Sequence, residues 1–428
     1  MISSGAEGFA PRLLENHDVT PKSLICEEER ARRFATAEHD TMQYTEYDNI
    51  LSFHSLRSGT GRSMLLSLLA IIVVFIVIPL VYLHRPEFVE ISVPEVKAKD
   101  SDHYRQGQFH NVEPTPVLTG SGSFAKLMLE FLLHGNPRRR PKQALPTVNT
   151  SLLALPADRD VVIWLGHSSF FVQLAGKRLL VDPVLSQNAA PVPFGNRAFQ
   201  GTNPYTPADM PNIDYLLMTH DHWDHLDYAT LIALKPKVKQ VVCGLGVGQY
   251  FRAWGFAHES VHEADWFSEL NLGDGIDISV LPARHFSGRL FKKNQTLWVS
   301  FALQTAERRL YFSGDSGYGA HFKKIGELFD GFDFVALDSG QYDERWSHVH
   351  MRPEEAAQAA TDLRTRALLP GHIGKFALAQ HDWNDPFIRI VKASKNHDWR
   401  LLTPLIGQPL WLDESETVFE PWWETVSG

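Results

Sequence analysis

Thr219-His220-Asp221-His222-Trp223-Asp224-His225 follows the apolar run Tyr215-Leu216-Leu217-Met218. Three histidines and two aspartates fall within six positions directly after an expected strand. Strand ends are where chemistry collects on layered α/β folds. Imidazole and carboxylate are the ligands a borderline divalent ion such as zinc prefers. His220 and His222 are two apart, so on an extended segment they point the same way. Asp224 and His225 come at the turn into the next helix and can face a second ion. A chance histidine cluster at a turn is the bland alternative, and the order H-x-H-x-D-H speaks against it.

Two ions need more ligands than one segment supplies. Working outward, His285 follows the apolar run Ile278–Leu281, Asp315 follows Leu310-Tyr311-Phe312, and His372 follows Leu368-Leu369. Glycines flank Asp315 in Ser313-Gly314-Asp315-Ser316-Gly317, leaving room for a carboxylate between two ions. A lone histidine after a strand is more often a hydrogen-bonded structural residue. Several at successive strand ends reverse that reading.

The surrounding chain, from about 150 to 412, consists of short apolar runs separated by turns. The pattern predicts strands at 161–165, 170–174, 178–181, 215–218, 240–243, 276–281, 297–304, 309–312, 334–337 and 367–369. It predicts helices at 226–234, 319–328 and 353–363. Strand meanders interleaved with helices indicate an α/β or α+β layered fold.

In their order along the chain, HDHWDH, His285, the GDSGY aspartate Asp315 and the GHIGKF histidine His372 resemble the metal motifs of the metallo-β-lactamase superfamily. Asp182 in LLVDPV matches that family's first motif. The resemblance covers roughly 150–400 and implies an αββα sandwich with metals at one edge of its two sheets. It implies one ion on His220, His222 and His285, and a second on Asp224, His225 and His372. Asp315 would bridge the two, and Asp182 would fix a ligand imidazole from behind. WLGHSSFFVQL, VDPVLS, RHFSGR, TLWVSF and HVHMRPEEA further resemble the N-acylphosphatidylethanolamine phospholipase D group and its bacterial relatives. That likeness places His350 near the metals, for substrate contact or proton transfer. It matches His167 of LGHSS to a strand-end histidine, expected to be structural. It also suggests a homodimer.

The chain has 428 residues, 44% apolar and 21% charged, with a net charge of −9. The acidic balance argues against a nucleic-acid partner, which needs a basic field. Two cysteines, Cys26 and Cys243, exclude a disulfide scaffold and a thiolate zinc cluster. Residues 1–63 are polar, with seven basic and ten acidic side chains, and read as a mobile tail. Residues 64–83, MLLSLLAIIVVFIVIPLVYL, carry no charge over the ~20 positions a membrane span requires. Arg57 and Arg62 on one side face Arg85, Lys97 and Lys99 on the other, which gives no decisive charge asymmetry. Residues 84–149 read as a linker. Within it Phe124, Leu127, Met128, Phe131 and Leu132 form one face of an amphipathic helix near 123–134, ending before Arg138-Arg139-Arg140.

These readings together predict a single-pass membrane protein with a catalytic domain at 150–428. The expected cofactors are two divalent ions, zinc by ligand type. The expected reaction is hydrolysis of N-acylphosphatidylethanolamine-like phospholipid to phosphatidic acid and an N-acylethanolamine. Asp224, Asp315 and His350 are the expected catalytic groups. A lactonase or ester hydrolase on the same site is the alternative, and a non-catalytic metal-binding domain is a third reading. Arg284, Arg289 and Arg345 are candidate phosphate contacts.

Overall fold

Apolar residues at every position of Val161–Trp164 require burial on both faces, and the architecture supplies it. The computed structural model describes residues 59–91, 100–119, 129, 130, 133, 135–273 and 275–426. Helices α1 (Gly59–Ile72) and α2 (Ile78–Leu83) and a hairpin of two-residue strands, β1 (Tyr104–Arg105) and β2 (Gln108–Phe109), precede the main fold. The first large sheet then contains β3 (Val161–Trp164), β4 (Phe170–Leu174), β5 (Lys177–Val181), β6 (Ile213–Met218), β7 (Val238–Gly244) and β8 (Val261–Ala264). The second contains β9 (Ser268–Asn271), β10 (Asp277–Pro282), β11 (Val299–Gln304), β12 (Arg309–Phe312), β13 (Phe334–Asp338), β14 (Ala367–Gly371) and β15 (Arg400–Leu401). The last strand, β16 (Pro409–Trp411), returns to pair antiparallel with β3 in the first sheet.

Each sheet is an antiparallel meander that becomes parallel. The first changes at β5, which pairs parallel with β6. The second changes at β12, which pairs parallel with β13. Alternate residues enter different cores, as the period of two demands. Val162 and Trp164 join the inner core with Phe301, Phe312 and Phe334 of the second sheet. Val161 and Ile163 face the outer layer, packed with Leu231 of helix α3 (Tyr228–Leu234) and Tyr250 of α4 (Gly248–Ala253). On the other side, α5 (His321–Phe329), α6 (Pro353–Asp362) and α7 (Asp385–Ser394) cover the second sheet through Phe322, Ala356, Ala360 and Ile390. This is the expected αββα sandwich.

Two expectations change. The apolar helix runs from Thr60 to Leu83, starting inside the stretch read as a polar tail. Its described apolar side chains are exposed apart from the half-buried Tyr82, so it is not a buried core helix. Residues 84–149 are not simply a spacer. Phe88, Ile91, Phe109 and Leu145 are buried, and Phe109 and Leu145 belong to the inner core. The amphipathic helix near 123–134 lies mostly outside the described residues, as does the tail before residue 59.

Candidate metal centre

The parallel strands deliver their carboxyl ends to one edge of the sandwich, and the site is built there. Asp182 follows β5, His220 follows β6, His285 follows β10, Asp315 follows β12 and His372 follows β14. His167, in the turn after β3, pairs its backbone with Ile373 across the two sheets. His167, Asp182 and His372 have φ of +55°, +41° and +60°, a region disfavoured for residues with a Cβ. Such strain is held only where surrounding contacts over-determine it.

Two groups of potential ligands result. His220, His222, His285 and Asp315 each direct one donor atom to a common point. So do His167, Asp224, His225 and His372. Asp315 lies between them. Its Oδ1 is 3.1 Å from His225 Nε2 and 3.0 Å from His372 Nδ1. Its Oδ2 is 3.8 Å from His220 Nε2 and 3.7 Å from His285 Nε2.

Outer hydrogen bonds fix which imidazole nitrogen faces inward. His285 Nδ1 is 2.9 Å from the Val349 carbonyl, which can only accept, so Nδ1 carries the proton. His225 Nδ1 donates to Asp182 Oδ2 at 2.8 Å. The Thr219 hydroxyl donates to Asp182 at 2.5 Å, so its oxygen accepts from His220 Nδ1 at 2.9 Å. The inner Nε2 atoms of all three rings therefore carry lone pairs in the neutral imidazole. His220 Nε2 nevertheless approaches His222 Nδ1 at 2.9 Å, and His285 Nε2 approaches it at 3.2 Å. His225 Nε2, His372 Nε2 and Asp315 Oδ1 are buried without an aligned hydrogen bond. Orphaned buried acceptors cost about 1–3 kcal/mol each. His222 Nδ1 can give its one proton to only one of the two Nε2 atoms that face it, so buried acceptors outnumber the protons available to them, an arrangement a cation satisfies, and these residues fit divalent metal.

The electrostatics of the group around His222 agree, while at His225 burial is outweighed by the Asp315 and Asp224 carboxylates, which raise its pKa well above the ordinary histidine range. Burial, followed by neighbouring imidazoles, pushes His220 and His222 well below the ordinary histidine range. Burial lowers His285 to about 3. These rings are neutral at pH 7 and available as donors. Burial alone would raise Asp315, but His225 and His372 hold it well below the usual carboxylate range.

His350 reaches the same cavity. It stacks on His372 with centroids 5.0 Å apart, and its Nδ1 lies 2.9 Å from Asp338 Oδ2. Burial would lower its pKa, but the Asp338 carboxylate raises it above the ordinary value. Asp338 went unnoticed in the sequence, although it ends strand β13 as the other site residues end theirs. His167 was expected to be structural. It is fully buried, and its Nε2 is 2.8 Å from Asp224 Oδ2.

Of the arginines expected at a phosphate, Arg284 and Arg345 are occupied, and Arg289 is held by one terminal nitrogen on the Asp221 and Leu226 carbonyls, with its Nε and other terminal nitrogen buried without a hydrogen-bond partner. Arg284 donates to the Tyr318 carbonyl at 2.8 Å and to Thr115 Oγ1 at 3.1 Å. Arg345 is engaged by Asp343 and Glu130. Arg289 is buried over the Trp223 ring at 3.7 Å. Lys293 lies over the Phe286 ring at 5.2 Å, and Phe286 itself packs on His222.

Comparison with known proteins agrees with this geometry. The family model described as β-lactamase superfamily domain matches residues 177–373. An uncharacterised protein of Mycobacterium tuberculosis is 34% identical over 331 residues, covering 76% of this chain and 88% of that one. A UPF0173 metal-dependent hydrolase of Pyrobaculum aerophilum is 30% identical over 239 residues, covering 54% and 92%. An N-acyl-phosphatidylethanolamine-hydrolyzing phospholipase D of Caenorhabditis elegans is 32% identical over 234 residues, covering 51% and 65%.

Proposed function

The chain belongs to the β-lactamase superfamily of metal-dependent hydrolases, and from that premise we propose that it is a membrane-anchored phosphodiesterase of the phospholipase D type. Its substrate is N-acylphosphatidylethanolamine-like lipid, and its products are phosphatidic acid and an N-acylethanolamine. The observation that carries the hydrolytic reading is the pair of ligand groups sharing the Asp315 carboxylate. The lipid phosphodiester is supported by similarity to the nematode phospholipase and by the membrane-length helix Thr60–Leu83.

In this reading His220, His222 and His285 would hold one divalent ion, Asp224, His225 and His372 would hold the other, and Asp315 would serve both. Zinc suits the ligand set. Two such ions supply Lewis acidity and lower the pKa of water to near neutrality. The protein's part is positioning. Asp182 orients His225 directly and His220 through Thr219. His167 holds the Asp224 carboxylate. His350, kept protonated by Asp338, stands at the opening to deliver a proton to the leaving alkoxide oxygen. Lys293 offers its ammonium to the lipid phosphate.

The test is a product assay on the detergent-solubilised full chain with N-acylphosphatidylethanolamine, read by mass spectrometry with and without chelator. Chelator-sensitive release of phosphatidic acid with N-acylethanolamine is expected. No product from a chain shown to hold two ions would overturn the lipid assignment and shift the reaction to a lactone or carboxylic ester.

A further inference from the structure

The end of the apolar helix reaches the metal loop through two aromatic contacts. The Tyr82 ring packs on Phe88 with centroids 5.2 Å apart, and Phe88 packs on Trp223 at the same distance. Trp223 lies between His222 and Asp224 in the ligand segment. The link is fastened from both sides. Trp254 Nε1 donates to the Pro86 carbonyl at 2.9 Å, and the Tyr82 hydroxyl donates to the Pro191 carbonyl at 2.7 Å. Phe88 and Ile91 are buried.

Two loops leave these contacts and present aromatic tips to solvent. Phe194 is 83% exposed and Phe291 is 80% exposed. Phe194 is three residues from Pro191, so at ~3.3–3.6 Å per residue it lies within roughly 11 Å of the Tyr82 contact. Phe291 is two residues from Arg289, whose carbonyl accepts from Trp223 Nε1 at 2.8 Å. Cations accompany both tips. Lys292 and Lys293 follow Phe291 and are exposed. Arg197 is exposed at the base of the other loop, where Arg140 donates to its carbonyl.

A tyrosine at the end of a membrane span sits at the headgroup level. Phe194, within about a nanometre of the Tyr82 contact along the chain, can meet that same interface, and Phe291 is joined to Tyr82 through Phe88, Trp223 and Arg289. Exposed phenylalanines flanked by lysine and arginine are the side chains that interface accepts, ring among acyl chains and cation on anionic headgroups. We propose that the loops 189–197 and 288–294 dock on the bilayer that holds the apolar helix, with Phe194 and Phe291 inserted, so that the metal centre opens onto lipid in the membrane plane. This rests on reading Thr60–Leu83 as a membrane anchor.

The test uses the full chain in liposomes of phosphatidylcholine with a minor share of phosphatidylglycerol. Phe194→Cys, Phe291→Cys and Val418→Cys are labelled singly with an environment-sensitive fluorophore in a Cys26→Ser background. Cys243 is buried and shielded from the label. Val418, 85% exposed in the C-terminal segment, is the reference position. Flotation first reports anchoring, and quenching by spin-labelled lipid then reports depth. Quenching several-fold stronger at 194 and 291 than at 418 is expected. Co-flotation with no excess quenching at either position overturns the docking and leaves the anchor standing. Failure to float removes the anchor and the docking with it. Neither readout depends on turnover, so the hydrolase reading is judged separately.

Discussion

At Asp182 a single carboxylate fixes two imidazoles. It accepts from His225 Nδ1 and, through the Thr219 hydroxyl, sets the tautomer of His220. Asp182→Asn keeps the shape but places an amide where acceptors are needed. Metal affinity is expected to fall about 10–100-fold, measured by competitive chelator titration of the folded chain. Unchanged affinity would show that Asp182 does not orient the ligands. Lys375 offers a second residue-scale test. It is fully buried and donates to the Leu165 and Val184 carbonyls at 3.2 and 2.7 Å. Burial pushes its ammonium down to about 7, against partial support from Asp227. The unfolded chain keeps that proton to ~10.4. From pH 7 upward the unfolded state therefore binds more protons than the folded state, and stability rises with pH through this window. Below pH 7 both states are protonated and the burial cost is constant. The rise approaches ~1.4 kcal/mol per pH unit. Lys375→Met is expected to lack it, and parallel wild-type and variant denaturation curves from pH 7 to 10 would refute the assignment.

Among the elements, the turn that carries Asp315 depends on close approach. Gly314 has φ of +58°, and a Cβ there would lie 2.7 Å from Thr219 Cβ. Gly273 has φ of +81° but faces open space. Alanine at either position incurs backbone strain, so the difference between the variants isolates the Thr219 contact. Gly314→Ala is expected to cost about 1–3 kcal/mol more than Gly273→Ala and to weaken metal binding as His220 loses its support. Urea melts and metal titration check both. The principal strands were legible because their apolar runs are long or fully buried. β8, β9, β15 and β16 were not, having two to four residues each and too little pattern to separate them from loop. Helix α3 starts at Tyr228 rather than at 226, because His225 and Asp227 are committed to the site turn.

At the scale of the sandwich, residues 161–411 form two seven-stranded sheets that bring the potential metal ligands together, and β16 ties the C-terminal end back to the first sheet. Ions bound by those ligands stabilise only the folded state. At a free concentration ~100 times Kd, each contributes about 2.7 kcal/mol. For a domain of this size that corresponds to roughly 5–10 °C per ion. Chelation is expected to lower Tm by at least that amount, and restoring zinc should recover it. A Tm indifferent to chelator in a protein shown to have lost its metal would argue that the inward-facing lone pairs are not cation sites. The same melts separate roles, since His350→Ala should abolish turnover yet leave the metal-dependent part of Tm intact.

The sequence by itself determined the inventory of potential ligands, the order of the strands that carry them, the superfamily and the membrane-length helix. These are local properties, set by the spacing of apolar and ligating residues along a few positions. Tertiary structure alone decided which nitrogen of each imidazole faces inward, that Asp338 holds His350, and that His167 bears on Asp224 from 57 positions away. It also decided that Arg284 and Arg345 are spent on neighbouring groups and that Tyr82 and Phe88 pack in series onto Trp223. Such pairings are chosen by which surfaces meet when two sheets pack, and no spacing along the chain encodes a contact made across them.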